Sequence, residues 1–250
     1  GGKTAPGDGK HGVFTSAEQA AAAAADAFEA LRLQGFEGRA KVVNIVKTIC
    51  ADKSVEWGEL EFAETRIGRL EHKVTKLEGI PAIPGTEWIQ PYGMSGDRGI
   101  TMEEHTPFGV IGAITPVTHS IPTISCNIIN MVAAGNTVVF KPSEDAPHSG
   151  MLLVQVMHDA GVPAGVVNLV QGAGVTGQAI VDHPDVQEIS FTGSSETGAA
   201  IAIYMDAGEM EFGDAEGAKR LIRESAEGTE IGTVIGNGAA AIGRKTGHKR

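Results

Sequence analysis

The chain has 250 residues, of which 42% are hydrophobic, 20% charged and 5% aromatic. That is enough apolar material for a large core, and too little charge for a disordered chain. A formal net charge of -11 repels phosphate backbones and excludes general nucleic-acid binding, and Cys50 and Cys126 form neither a disulfide framework nor a zinc-ligand spacing. No apolar run is long enough to cross a bilayer, and the opening GGKTAPGDGKHGVF lacks the apolar stretch of a signal peptide, so no membrane partner is expected. The cytoplasm is the expected location.

Residues 1–12, rich in Gly and Lys, read as a flexible lead-in. Thr15 or Ser16, followed three positions later by Glu18 or Gln19, is a capping-box pattern that opens an alanine-rich helix to about Leu33. A second helix carries Val42, Val43, Ile45, Val46 and Ile49, and a third runs from Ser54 to Glu64, with Gly68 as a break before Leu70–Leu77. Residues 13–98 are therefore expected to be mainly helical.

At about Gly99 the texture changes. GITMEEHTPFGVIGAITP has short apolar runs punctuated by Gly and Pro, as buried strands do. From there helices are expected over Thr123–Ala134, Ala146–Ala160, Val175–Asp182 and Ser195–Met205, alternating with strands Thr137–Lys141, Val166–Val170 and Glu188–Phe191. The alternation predicts an α/β fold over 99–205: a Rossmann-like parallel sheet with flanking helices, preceded by the helical N-terminal segment. Such sheets bind nucleotides at the carboxyl ends of their strands. Beyond it, 206–227 can form a helix, and the Gly-rich tail superficially matches a phosphate loop at Gly238–Gly243, where a frayed terminus is expected instead.

Gly172-Ala-Gly174-Val-Thr-Gly177 fits the dinucleotide fingerprint between a strand and a helix. It reads equally as a tight turn, so Gly174 and Gly177 are candidate phosphate contacts. Two further segments, Val139-Phe-Lys-Pro-Ser-Glu-Asp145 and Phe191-Thr-Gly-Ser-Ser-Glu-Thr-Gly198, carry more information. Together with MVAAGNTVVFKPSE, AGVPAGVVNLVQG and HPDVQEISFTGS, they resemble the aldehyde dehydrogenase superfamily over roughly His11 to Ala202. Upstream, HGVFTSAEQA, RIGRLEHKVTKL, IPGTEW and TPFGVIGAITPVTHSIPT are similar to its CoA-acylating members, including the propionaldehyde and acetaldehyde dehydrogenases of bacterial microcompartments, which makes a microcompartment the alternative location that the resemblance implies. The KPSE and FTGS segments are more like the hydrolytic branch.

The resemblance implies NAD as cofactor, with Lys141 and Glu144 at the adenosine ribose, Ser143 beside them, and Gly193 and Ser194 at the pyrophosphate. A carboxylate at Glu144 can accept from both ribose hydroxyls but repels a 2′-phosphate, and Ser194 opens a helix whose dipole favours an anion. It also implies an oxyanion donor near His119, which can alternatively be a loop histidine that caps the next helix. The family's thiolate nucleophile belongs to a later domain, and neither Cys50 nor Cys126 stands in its place, so both are expected to be buried free thiols. The implied activity is NAD-dependent oxidation of an aldehyde, with coenzyme A as acyl acceptor, by a protein of which this chain is the cofactor-binding portion, catalytic domain absent and inactive alone. The alternative is a noncatalytic interaction or assembly module on the same fold, acting as a homo-oligomer.

Overall fold

The computed structural model describes residues 9–207 and 240–244 of the chain. Its centre is a six-stranded sheet in the order β1-β6-β5-β4-β7-β8, formed by Val13–Phe14 (β1), Val110–Ile114 (β4), Thr137–Lys141 (β5), Val167–Val170 (β6), Val186–Thr192 (β7) and Ala240–Arg244 (β8). β1, β6, β5, β4 and β7 pair in parallel, and β8 adds to β7 in antiparallel register. Both faces are covered, and the period-two alternation of the strands shows it. Val138 and Phe140 of β5 join one apolar cluster with Ile111, Val167 and Leu169, while Val139 between them joins the other with Val110, Val170 and Ile189.

The helices α4 (Ser120–Ala133) and α5 (Pro147–Asp159) contribute Ile121, Ile128 and Leu153 to the first cluster. On the other face, α6 (Gly174–Asp182) supplies Ile180 and Val181 beside α1 residues Ala17, Ala20, Ala21 and Ala24, with α7 (Ser195–Ala207) following β7. Small side chains at helical spacing let α1 lie close on the strands, so the Thr137 hydroxyl can donate to the Ala24 carbonyl at 2.8 Å. Ser16 caps α1 by accepting from the Gln19 amide at 3.2 Å, as its capping pattern predicts.

Several sequence boundaries shift. The two helices expected to Leu33 and from Val42 run together as α1 (Ala17–Asp52), broken at Gly35, whose φ of 60° and ψ of -152° suit only glycine. The lead-in already has structure at Lys10–Gly12, a 3-10 turn, and β1 puts a sheet strand inside the part expected to be mainly helical. Gly99 does not open the buried sheet. Gly99–Glu103 (β3) pairs with Tyr92–Gly96 (β2) in an exposed antiparallel hairpin, and the first long buried strand starts at Val110. The helix before β5 begins at Ser120 rather than Thr123, and Ala240–Arg244, expected to fray, is strand β8 rather than any phosphate loop. The 206–227 helix, beyond Ala207, lies outside the described residues.

Two further helices, α2 (Ser54–Thr65) and α3 (Leu70–Glu78), cross the carboxyl edge of the sheet. Arg66 in left-handed conformation at the C-cap of α2 and Gly68 make the turn between them. Glu61 of α2 is fully buried and accepts from Lys73 Nζ of α3 at 2.6 Å; its other oxygen accepts from the Ile121 amide at 3.3 Å, in the first turn of α4. Lys73 Nζ also donates to the Thr118 carbonyl at 3.3 Å. One turn further along α2, Glu64 accepts from the His148 and Ser149 amides at 2.7 and 2.9 Å, and from the Ser149 hydroxyl, at the start of α5. α2 thus places carboxylates on the N-termini of two sheet helices, where unpaired amides and the helix dipole favour negative charge.

Removing one partner of a buried pair leaves the other as an uncompensated charge, a loss of about 3–5 kcal/mol. Glu61→Ala is therefore expected to lower stability by that order in urea melts, while Glu61→Leu combined with Lys73→Met recovers much of it; equal losses in the two variants would contradict the pairing. At Gly112 in β4 an added Cβ would lie 2.5 Å from Ile180 Cγ2 and 2.7 Å from Ile189 Cδ1. Gly112→Ala should cost about 1–3 kcal/mol through overpacking, read as a lower midpoint in thermal unfolding.

Candidate cofactor site

β5, β4 and β7 lie side by side in the sheet, yet β4 leads through α4 to β5 on one side while β7 returns to the other. The chain therefore leaves the carboxyl ends of β4 and β7 in opposite directions, and a crevice opens between them. A cavity of about 350 Å³ lies there, within the roughly 300–1,000 Å³ usual for small-molecule sites. Ile114, Thr115 and Pro116 at the end of β4, and Phe191 and Thr192 at the end of β7, form part of its wall.

All seven residues expected at a cofactor line this one cavity: Lys141, Ser143 and Glu144 after β5, Gly174 and Gly177 in α6, and Gly193 and Ser194 before α7. They come from three segments separated along the chain. Lys141 ends a buried strand with its side chain 8% exposed, and its ammonium donates to Glu144 Oε2 at 2.7 Å. That hydrogen bond, with a backbone contribution, holds the Glu144 carboxyl below the usual range despite opposing burial. Glu144 is thus an anion at neutral pH and more than half exposed, turned to the crevice edge. The Lys141 carbonyl accepts from the Thr115 amide at 3.1 Å, which ties the β4 loop to the β5 loop across the site.

The glycines have separable reasons. A Cβ at Gly174 would meet nothing within 4 Å, so only space for something else in the crevice is preserved there. At Gly193 a Cβ would lie 2.5 Å from Phe191 Cζ, so this glycine is also required by packing within the protein. Ser194 acts as a cap: its hydroxyl accepts from the Thr197 amide at 3.2 Å and donates to Thr197 Oγ1 at 2.9 Å, and both residues line the cavity. A larger open groove of about 610 Å³ runs along α1 past Ala40, Lys41, Asn44, Ile45 and Ile49, but it has no strand ends or helix N-termini converging on it.

His119 is not in the cavity wall. It occupies the N-cap position of α4 without making a side-chain cap, so neither of its two sequence readings is displayed directly. Its imidazole faces α3, with Lys76 Nζ 2.7 Å from Nε2 and 3.2 Å from Nδ1. Burial, then Lys76 and Lys73, lowers its pKa, so the ring is neutral at pH 7. Cys50 is buried, donates to Ser125 Oγ at 3.2 Å, and has its thiol pushed up to about 11, first by burial. Burial likewise raises the half-buried Cys126 in α4. Neither is an activated thiolate.

Glu61, Glu64, Lys73 and Lys76, which shape the β4 and β5 loops, escaped the sequence reading. The signal available was two acids three apart on one helix, and its meaning depends on partners 60 to 85 positions away.

The sequence profile of the aldehyde dehydrogenase family matches residues 9–213. The acetylating acetaldehyde dehydrogenase of Bilophila wadsworthia is 31% identical over 191 residues, 74% of this chain and 39% of the relative. Among solved structures, propionaldehyde dehydrogenase of Rhodopseudomonas palustris with bound propionyl-CoA superposes with a TM-score of 0.71 at 34% identity, covering 77% of this chain and 44% of that one. An engineered glycolyl-CoA reductase with bound NADP+ gives 0.72 at 34% identity, over 77% and 45%. The chain therefore spans less than half the length of these relatives. Its parallel sheet, its crevice and its matched sequence agree: the chain belongs to the aldehyde dehydrogenase family.

Proposed function

We propose that this chain is the cofactor-binding part of an NAD-dependent aldehyde dehydrogenase of the CoA-acylating kind. The observation that carries the reading is the convergence of Lys141, Ser143, Glu144, Gly174, Gly177, Gly193 and Ser194 on a single crevice at the strand-order switch. A dinucleotide suits the donor set. The amides opening α6 and α7 suit the pyrophosphate, Lys141 adds a buried cation, and the Glu144 carboxylate suits a ribose diol. When bound, the cofactor supplies a hydride acceptor; the residues here hold and orient it. The unit that does so is the sheet with its helices from Val110 to about Ala207, buttressed by α1, α2 and α3.

The acylating assignment draws on relatives named for acetylation or holding propionyl-CoA. Neither Cys50 nor Cys126 is poised as the thiolate that aldehyde oxidation in this family requires, so these 250 residues alone bind cofactor without oxidising aldehydes. A supporting role in assembly is favoured by the β2–β3 hairpin, which exposes Tyr92, Ile100 and Met102 by more than half of their surface. Sedimentation is expected to show a homo-oligomer, and a monodisperse monomer would remove that second role.

Calorimetric titration of the folded chain should show NAD+ binding, with NADP+ weaker by about tenfold or more because Glu144 opposes a 2′-phosphate. Glu144→Ala should narrow the gap between the two. A folded sample that takes up neither dinucleotide would overturn the cofactor reading, and equal affinities in the wild-type chain would overturn the role of Glu144.

A further inference from the structure

The two edges of β7 are not covered equally. On one side β4 pairs with it from Val110 opposite Val186 to Ile114 opposite Phe191, and stops there. On the other side β8 pairs with it from Arg244 opposite Glu188 to Ala240 opposite Thr192, one residue further. Phe191 is thus matched from both edges, whereas Thr192 is matched, among the described residues, by Ala240 alone. Thr192 is the last residue of β7 and part of the cavity wall, and it leads directly into Gly193 and Ser194, before α7. Because β8 is antiparallel, its first residue stands at the crevice end of the sheet, and the strand also comes close to α7. β8 lies beyond residue 213, where the match to the family ends.

We propose that β8 is a positioning element of the crevice: its pairing with β7 fixes the turn at Thr192, Gly193 and Ser194, and is coupled to occupation of the site by the dinucleotide. The inference rests on the cofactor reading above and adds to it a strand from outside the family match. A strand end with no ladder partner frays, so without β8 the ordered part of β7 ends at Phe191. Thr192 and the conformationally free Gly193 would then have to be ordered by the ligand itself, at a cost in affinity. With β8 docked, the turn is ordered before the ligand arrives. Linkage makes the effect reciprocal: a ligand that holds the turn still strengthens the docking of β8 by the same factor. A strand that merely covered the open edge of the sheet would be indifferent to the ligand.

Amide hydrogen exchange of the full chain, with and without saturating NAD+, reads the coupling. Exchange over 240–244 should slow by about fivefold or more with NAD+, while the β2–β3 hairpin, which contributes nothing to the crevice wall, keeps its rate. A second arm breaks the strand. Successive amides point alternately toward and away from the neighbouring strand, so Ala241→Pro combined with Ile242→Pro removes a ladder hydrogen bond whichever way the two residues face. That variant should bind NAD+ about fivefold or more weakly in calorimetric titration, and Ala241→Val combined with Ile242→Val, which keeps every amide, should bind as the wild type does. The exchange arm uses only the wild-type chain and decides the matter even where the proline variant does not fold. Unchanged exchange over 240–244 in a chain that binds NAD+ overturns the coupling alone, as does wild-type affinity in a folded proline variant. A wild-type chain that binds no NAD+ overturns the cofactor reading and the coupling with it.

Discussion

The buried pair of Glu61 and Lys73 is the constraint on which the geometry of the site depends. Both side chains are almost wholly excluded from water, so each must be satisfied completely, and the spare bonds of both go to one place. Glu61 reaches the Ile121 amide and Lys73 reaches the Thr118 carbonyl, which brackets His119 and Ser120 and fixes where the β4 loop ends and α4 begins. The Thr115 amide fastens the other end of the loop to the Lys141 carbonyl. A loop held at both ends is a defined wall. The pair contributes little net stability for its desolvation cost, and its value lies in allowing only one arrangement of this loop.

The same helix also settles which helix N-termini remain for a ligand. In a sheet of this kind the helices after β4, β5, β6 and β7 all begin at the carboxyl edge, and all offer unpaired amides. α2 supplies Glu61 to α4 and Glu64 to α5. α6 and α7 take no carboxylate from α2, and their starts reach the crevice through Gly174 and through Ser194 and Thr197. An anion entering this edge would be directed to the α6 and α7 side of the switch point, because the α4 and α5 side already holds carboxylates.

Much of this could be read in the sequence, for a physical reason. Strands β5, β6 and β7 and helices α4 to α7 are local: short apolar runs, helix-period stripes and glycine stops identify them with small boundary errors. The KPSE and FTGS residues stand out by their resemblance to the family, and the fold brings the strand ends that carry them to one crevice. What could not be read depends on distant partners. Tyr92–Gly96 and Gly99–Glu103 have the composition of sheet strands, yet they pair with each other rather than with the core, and nothing local in Gly99-Ile-Thr-Met distinguishes the two fates. His119 was legible as a residue of interest and illegible in its surroundings, because Lys76 approaches from a helix 43 positions earlier.

The charge of the molecule gives the crevice its character. With a net charge of -11, the chain as a whole repels anions, so the dinucleotide proposed for this crevice would have to be admitted by local features that outweigh the long-range field. In the proposed cofactor reading, the starts of α6 and α7 and the buried Lys141 would do this over a few ångströms, where a low dielectric strengthens them and screening by salt is weak. Glu144 then acts as a limit on the same attraction. By pairing with Lys141 at 2.7 Å it takes up part of that positive charge and presents a carboxylate at the rim, so in the proposed reading a cation that drew a pyrophosphate inward would not equally serve a further phosphate beside it. The proposed attraction at the bottom of the crevice and refusal at its edge would come from two side chains three residues apart, and β5 places both because its last residue is a lysine that the sheet holds in place.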